Sequence, residues 1–210
     1  MELKKSLQNY IDELSSNSPT PGGGNVAALC GVLASSLGEM VCNLTIGKKK
    51  YLDFESEVKE LKNKFETFKK DFLTLAERDN EAFDRVMDAF KLPKETEAEK
   101  AFRSSAIDHA TIEAAYVPEE VIIKCKEIIP LLKTIAEKGN QNSVSDAGVA
   151  ISLVSAAAEG AFLNVAINCS GLSNRETANK LLTKSEMIYH EIKENSARLT
   201  SQIIKRMTFK

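Results

Sequence analysis

The sequence predicts an all-α protein, a multi-helix bundle in which two small-residue helices are buried among long amphipathic ones. Three observations carry this expectation. Apolar residues recur three and four positions apart along most of the chain, and strand-like alternation is found nowhere. Two stretches, 26–46 and 145–168, are rich in Gly, Ala and Ser and poor in charge, a composition that lets neighbouring helices approach closely. Prolines, glycines and capping residues divide the chain into helix-sized pieces.

In order, Leu3, Leu7, Tyr10 or Ile11, and Leu14 mark a first helix that stops at the turn formers Ser15-Ser16-Asn17-Ser18-Pro19. The second begins near Gly24-Asn25 and ends at about Ile46, before Gly47; its small residues make it central. The third spans about 54–90, where Val58, Leu61, Phe65, Phe68, Phe72 and Leu75 alternate as in a coiled-coil seam. Leu92-Pro93-Lys94 ends it. Thr96 and Glu99 form a capping box for a fourth helix reaching Tyr116. Pro118 opens a fifth (Val121, Ile122, Cys125, Ile128, Ile129, Leu132, Ile135), with a kink expected at Pro130 and an end at Gly139-Asn140. The sixth, about 145–168, has Asp146 and Glu159 as its charges. Ser173 and Glu176 box the start of a seventh, with Leu181, Ser185, Ile188, Ile192 and Leu199 on one face. One helical domain over residues 1–210 accounts for this length. Long seams and apolar internal helices suggest a homodimer.

At 43% hydrophobic and 28% charged residues, the chain can bury a core without disulfides. The net charge of −2, with no basic patch interleaved with aromatics, argues against nucleic acid as a partner. Lys48-Lys49-Lys50 is the local exception and reads first as a solvated corner. Cys30, Cys42, Cys125 and Cys169 are far apart, without a C-x-x-C pair, as expected of small core residues in a reducing, cytoplasmic compartment. The N-terminus lacks an apolar signal core. The 26–46 stretch is broken by Ser35, Ser36, Glu39 and Asn43, which reads as a buried helix rather than a membrane span.

Polar groups that interrupt apolar stripes are the candidates for chemistry. Continuing the third seam past Leu75 puts Asp79 at the next core position, ahead of Ala82, Val86 and Ala89. A carboxylate there is costly unless paired or protonated. It reads either as a structural Asp paired with a Lys or Arg of another helix or as a general acid/base with a tuned pKa. Asp146, beside Asn142, Ser143 and Ser145, by itself suits a helix cap. Asn164 and Asn168 share a helix face and Asn43 interrupts the end of the second helix; buried amides need partners, and these two are candidates for each other. Pro21-Gly22-Gly23-Gly24 brings flexible backbone and free N–H groups to a helix N-terminus. That suits an anion or a ligand carbonyl, or simply a sharp turn that lets two helices touch. No Gly-Lys-Ser/Thr follows and no strand precedes it, which excludes a Walker loop. His109 and His190 lack partners at metal-ligand spacing, so no metal is expected.

Taken together, these pieces resemble the formiminotransferase-cyclodeaminase C-terminal domain family. The resemblance runs through Ser18-Pro19-Thr20-Pro21-Gly22-Gly23-Gly24, the helix ending Asn43-Leu44-Thr45-Ile46-Gly47-Lys48-Lys49-Lys50-Tyr51, and Asp79-Asn80-Glu81-Ala82-Phe83. It continues in Leu92-Pro93-Lys94, Gly139-Asn140-Gln141-Asn142-Ser143-Val144-Ser145-Asp146, and Gly160-Ala161-Phe162-Leu163-Asn164-Val165-Ala166-Ile167-Asn168. It departs at Pro118-Glu119-Glu120, where the family has a leucine-like residue just after the proline. It does not extend to a formiminotransferase domain, so transferase activity is not implied.

The resemblance implies an all-helical dimer acting on a reduced folate, with no cofactor beyond that tetrahydrofolate derivative and no membrane. The activity taken first is formiminotetrahydrofolate cyclodeaminase, forming 5,10-methenyltetrahydrofolate and ammonia. The alternative is methenyltetrahydrofolate cyclohydrolase, which opens the methenyl to the formyl derivative. Both reactions pass through a tetrahedral adduct at the carbon bridging two folate nitrogens. Asp79 and Asp146 are then expected at the reacting carbon, either one the base. Pro21, Gly22, Gly23, Gly24, Asn43, Asn142, Ser145 and Asn168 are expected around the substrate. Lys48, Lys49 or Arg103 would meet the glutamate tail or donate a proton. A non-enzymatic helical module, with Asp79 setting the register of a partner helix, is the alternative of a different class.

Overall fold

The computed structural model describes residues 6–208 and places six α-helices there: α1 (Leu7–Leu14), α2 (Gly23–Thr45), α3 (Glu55–Phe90), α4 (Glu97–Lys138), α5 (Val144–Gly171) and α6 (Arg175–Thr208). Short 3-10 turns, Lys49–Phe54 and Gln141–Ser143, lead into α3 and α5. Small residues put α2 and α5 in the middle. α2 packs on α3 and α5, and α5 packs in turn on α4 and α6. Gly31 and Gly38 lie under aromatic rings of α3: a Cβ would stand 2.5 Å from Phe72 at Gly31 and 2.7 Å from Phe65 at Gly38. The α3 seam is buried at Val58, Leu61, Phe65, Phe72 and Leu75, with Phe68 half-buried. α2 ends at Thr45, and two residues on the chain turns at Gly47, whose φ of +74° suits a residue without Cβ.

The fourth and fifth helices expected from the sequence are one helix. The Thr96–Glu99 capping box opens it: Thr96 Oγ1 accepts from the Glu99 N–H at 3.2 Å, and Glu99 Oε2 accepts from the Thr96 N–H at 2.8 Å. It then runs through Pro118 and Pro130 to Lys138. A proline inside a helix leaves the carbonyl four residues earlier without its donor. For Pro118 that carbonyl is Ala114, and Asn168 Nδ2 on α5 takes it at 2.9 Å. A side chain fifty-four residues away in sequence thus lets the helix continue.

Smaller differences follow the same logic. Leu3 lies outside the described residues, and Tyr10 is the buried residue of α1, while Leu7 and Ile11 face solvent. Asn174, not Ser173, caps α6 through the Thr177 N–H at 3.1 Å; the Ser173 N–H instead donates to Asp108 on α4. Glu120, at the departure from the family pattern, pairs bidentately with Arg78 of α3 at 2.5 and 2.7 Å. Glu119 Oε1 is buried 2.8 Å from Lys184 of α6, an ion pair outside hydrogen-bond alignment.

α2 and α5 run antiparallel, with Gly160 against Ala27 and Asn164 against Gly23. By length and composition α2 and Gln141–Gly171 could each cross a membrane, and only 56% and 39% of their most apolar windows is buried inside the fold. Both helices keep large apolar side chains at the surface: Leu33 and Leu44 on α2, and Val149, Leu163 and Ile167 on α5.

Candidate active site

At the N-terminal end of α2 the glycine turn meets α3. The turn contains a cis Thr20–Pro21 bond, and Pro21 is buried beneath it. Gly22 is the N-cap of α2 and offers no side chain to the first N–H groups. α3 supplies the missing cap. Asp79 reaches across, and its carboxylate accepts from the Asn25 backbone N–H. A Cβ on Gly24 would overlap that carboxylate, so Gly24 is what admits it. The expected anion of the glycine turn is therefore the protein's own.

Two effects act on Asp79 in opposite directions. Burial disfavours its charge, while the Asn25 N–H, at a helix N-terminus, favours it. Burial wins, and the pKa rises from 3.8 to about 6. Neither the structural pairing with a Lys or Arg nor full solvation is seen among the described residues; the groups that share its cavity are neutral.

Asp79 forms one wall of a cavity of about 240 Å³, with the glycines Gly22 to Gly24, Phe83 and Val86 of α3, and Asn164 and Asn168 of α5. Asn164 commits its amide nitrogen to the Gly160 carbonyl at 2.8 Å, and Asn168 commits its own to Ala114. The two asparagines are thus not each other's partners, and their oxygens are the ends they can offer a ligand. No Lys, Arg or His is among the lining residues. Larger grooves run between α5 and α6, but there the charged pair Glu159 and Lys193 is mutually engaged at 3.4 Å.

The other expected site residues lie elsewhere. Asp146 is in the first turn of α5, on the face that carries Asn164 but five turns away, about 27 Å at 1.5 Å per residue. Asp79 and Asp146 of one chain therefore do not meet at one carbon. Asn43, Lys48 and Lys49 are exposed at the C-terminal end of α2, and Asn142 and Ser145 are exposed near Asp146, all at the end of the bundle opposite the cavity. Arg103 donates to the Phe90 carbonyl at 3.2 and 3.0 Å and lies over its ring, tying α4 to the end of α3. Among the described residues no group of His, Cys, Asp and Glu is arranged to hold a metal.

The profile of the formiminotransferase-cyclodeaminase family matches residues 6–187. The chain belongs to the formiminotransferase-cyclodeaminase family. This family member is 42% identical to a methenyltetrahydrofolate cyclohydrolase of Methylorubrum extorquens, over 91% of its own length and 92% of the relative's. It is 29% identical to the formimidoyltransferase-cyclodeaminase of Mus musculus over 93% of its length, and spans 36% of that longer protein. A crystal structure of formiminotetrahydrofolate cyclodeaminase from Thermotoga maritima superposes with a TM-score of 0.81 at 32% identity, covering 97% of this chain and 100% of that one.

Asn25, Phe83, Val86 and Asn164 belong to the site, and the sequence alone assigns none of them to it. Asn164 carried a signal as one of two amides on an apolar helix face. Asn25 carried a weaker one, as a polar residue directly after the glycines.

Proposed function

We propose that this chain acts on the one-carbon bridge of a reduced folate as a methenyltetrahydrofolate cyclohydrolase, with Asp79 carrying the proton. The observation behind this reading is the carboxylate itself, held in a cavity wall with its pKa raised to about 6. A methenyl bridge is cationic, and a lining of one carboxylate, two amides and apolar groups suits a cation. Anionic Asp79 takes a proton from water as the water oxygen bonds to the bridging carbon. The adduct then collapses: the bond from that carbon to one folate nitrogen breaks, the carbonyl forms, and the nitrogen gains a proton. One proton is released overall, which balances conversion of the cation to the neutral formyl product. A pKa near neutrality lets the same group accept and return a proton.

The cavity is smaller than the roughly 300–1,000 Å³ of sites that engulf a whole drug-sized ligand. It suits the reacting end of the folate, with the remainder lying across the mouth. The reading includes a homodimer through the apolar α2–α5 face, where Leu33, Leu163 and Ile167 are 48%, 64% and 67% exposed.

Cyclodeaminase activity is the second reading, favoured by the likeness to the Thermotoga maritima enzyme over the full length of both chains. It needs the analogous adduct, with an amino group where the hydrolase adduct has a hydroxyl. The second folate nitrogen bonds to the formimino carbon, the amino group gains a proton, and its bond to that carbon breaks to release ammonia and leave the methenyl cation. The test assays purified protein in parallel for loss of methenyltetrahydrofolate absorbance and for ammonia release from formiminotetrahydrofolate. Methenyl hydrolysis above the uncatalysed rate supports the first reading, ammonia release supports the second, and neither activity overturns both.

A further inference from the structure

We propose that Tyr10 and Asn25 are positioning residues for Asp79, joined in a hydrogen-bonded chain that fastens α1 to the helix turn carrying the carboxylate. The inference rests on Asp79 being the proton carrier. Tyr10, 4% exposed, donates its hydroxyl proton to Asn25 Oδ1 at 2.8 Å. Asn25, 1% exposed, donates through Nδ2 to the Ala76 carbonyl at 2.8 Å and to Asn80 Oδ1 at 3.4 Å. Ala76 and Asn80 bracket Asp79 on α3. The Asn25 backbone N–H meets Asp79 itself.

One residue therefore grips α3 with its side chain and the carboxylate with its backbone. The Tyr10 hydroxyl fixes which way the Asn25 amide faces. With Oδ1 held toward α1, Nδ2 points to the Ala76 carbonyl; the reverse orientation would set two acceptors against each other. Without the hydroxyl, a buried acceptor loses this donor, and the first turn of α2 loses its reason to keep one orientation. The Asn25 N–H then holds the Asp79 anion less well, and the carboxylate keeps its proton more firmly.

Among the described residues, no other charged group lines the cavity beside Asp79. Among the described residues, Asp79 meets Gly24 and Asn25 from α2 and shares its cavity with Phe83 and Val86 from α3, Ala114 from α4, and Asn164 and Asn168 from α5. Tyr10, from α1, is linked to it through Asn25. The adjacent Arg78 is engaged by Glu120 on α4.

The experiment compares wild-type and Tyr10→Phe protein in two readouts. Carbon NMR follows the Asp79 carboxylate without substrate, assigned by its loss from the Asp79→Asn spectrum. Steady-state kinetics with methenyltetrahydrofolate gives the pH dependence of kcat/KM. In Tyr10→Phe the NMR midpoint and the acid limb should both move up by about half a pH unit or more. Turnover near pH 6 should fall by roughly twofold to fivefold, with KM changing less than about twofold. Tyr10→Leu, which also lacks the hydroxyl, is read in the same way. An unmoved midpoint in folded variant protein, whatever its melting temperature, overturns the proposal. A shifted midpoint alongside wild-type turnover that has no acid limb supports the Tyr10–Asn25–Asp79 link and removes Asp79 from catalysis instead.

Discussion

The Asp79 carboxylate of α3 occupies the space that a side chain on Gly24, in the first turn of α2, would need. The glycine turn and the break in the α3 seam are therefore two halves of one arrangement. A missing Cβ on one helix admits a half-buried acid from another, and the helix N-terminus supplies the acid with its N–H.

Gly24→Ala should push the carboxylate out of place and cost at least about a hundredfold in kcat/KM, the usual worth of a positioned acid/base. An alanine in a helix interior ordinarily adds up to about 1 kcal/mol of stability over glycine. A lowered melting temperature with unchanged helical circular dichroism would thus mark the clash. Wild-type turnover in this variant would mean that the contact with Asp79 is dispensable.

Asp79→Asn should stabilise the protein above pH 6. Burial raises the folded pKa from 3.8 to about 6, so between those values the folded chain holds a proton that the unfolded chain releases. Stability from this group is greatest below the unfolded value and declines as pH rises through the window, by at most about 3 kcal/mol. At pH 7.5 thermal denaturation should show the Asn variant melting several degrees higher, with the gap closing toward pH 4. A variant that melts lower at pH 7.5 would contradict a net burial penalty.

Asn168→Ala removes the donor that takes the carbonyl freed by Pro118, at a cost of about 1–3 kcal/mol. Pro118→Ala restores a backbone N–H for the same carbonyl. Chemical denaturation of both single variants and the double variant should show a coupling of about 0.5–3 kcal/mol, with the proline change offsetting part of the asparagine loss. Strictly additive effects would deny the link.

The exposed α2–α5 face should be covered in solution by a second copy. Sedimentation of the wild type should give a dimer, and Leu33→Glu with Leu163→Glu a monomer. A monomeric wild type at micromolar concentration would remove that interface.

The elements legible in the sequence were those set by local period. The α3 seam pointed at Asp79 because six apolar positions in one helix fix which face is buried. The capping box of α4 is likewise local. The fusion of two expected helices at Pro118 was not legible, because it depends on Asn168, which approaches only in the folded bundle. The same holds for Asp146, Asn43, Lys48 and Lys49. Each interrupts or ends an apolar helix much as the cavity residues do, and only the antiparallel course of α2 and α5 sends them to the far end. The role of Asn25 is not legible in the sequence, because its work is done by a backbone N–H and by partners on α1 and α3.

The central claim is that Asp79 carries the proton, and turnover of methenyltetrahydrofolate by wild-type and Asp79→Asn protein across pH tests it most directly. Wild-type kcat/KM should fall as pH drops through about 6, and folded Asp79→Asn protein should be slower by at least about a hundredfold with no such limb. Near-normal turnover in the folded variant, with the limb intact, would contradict it.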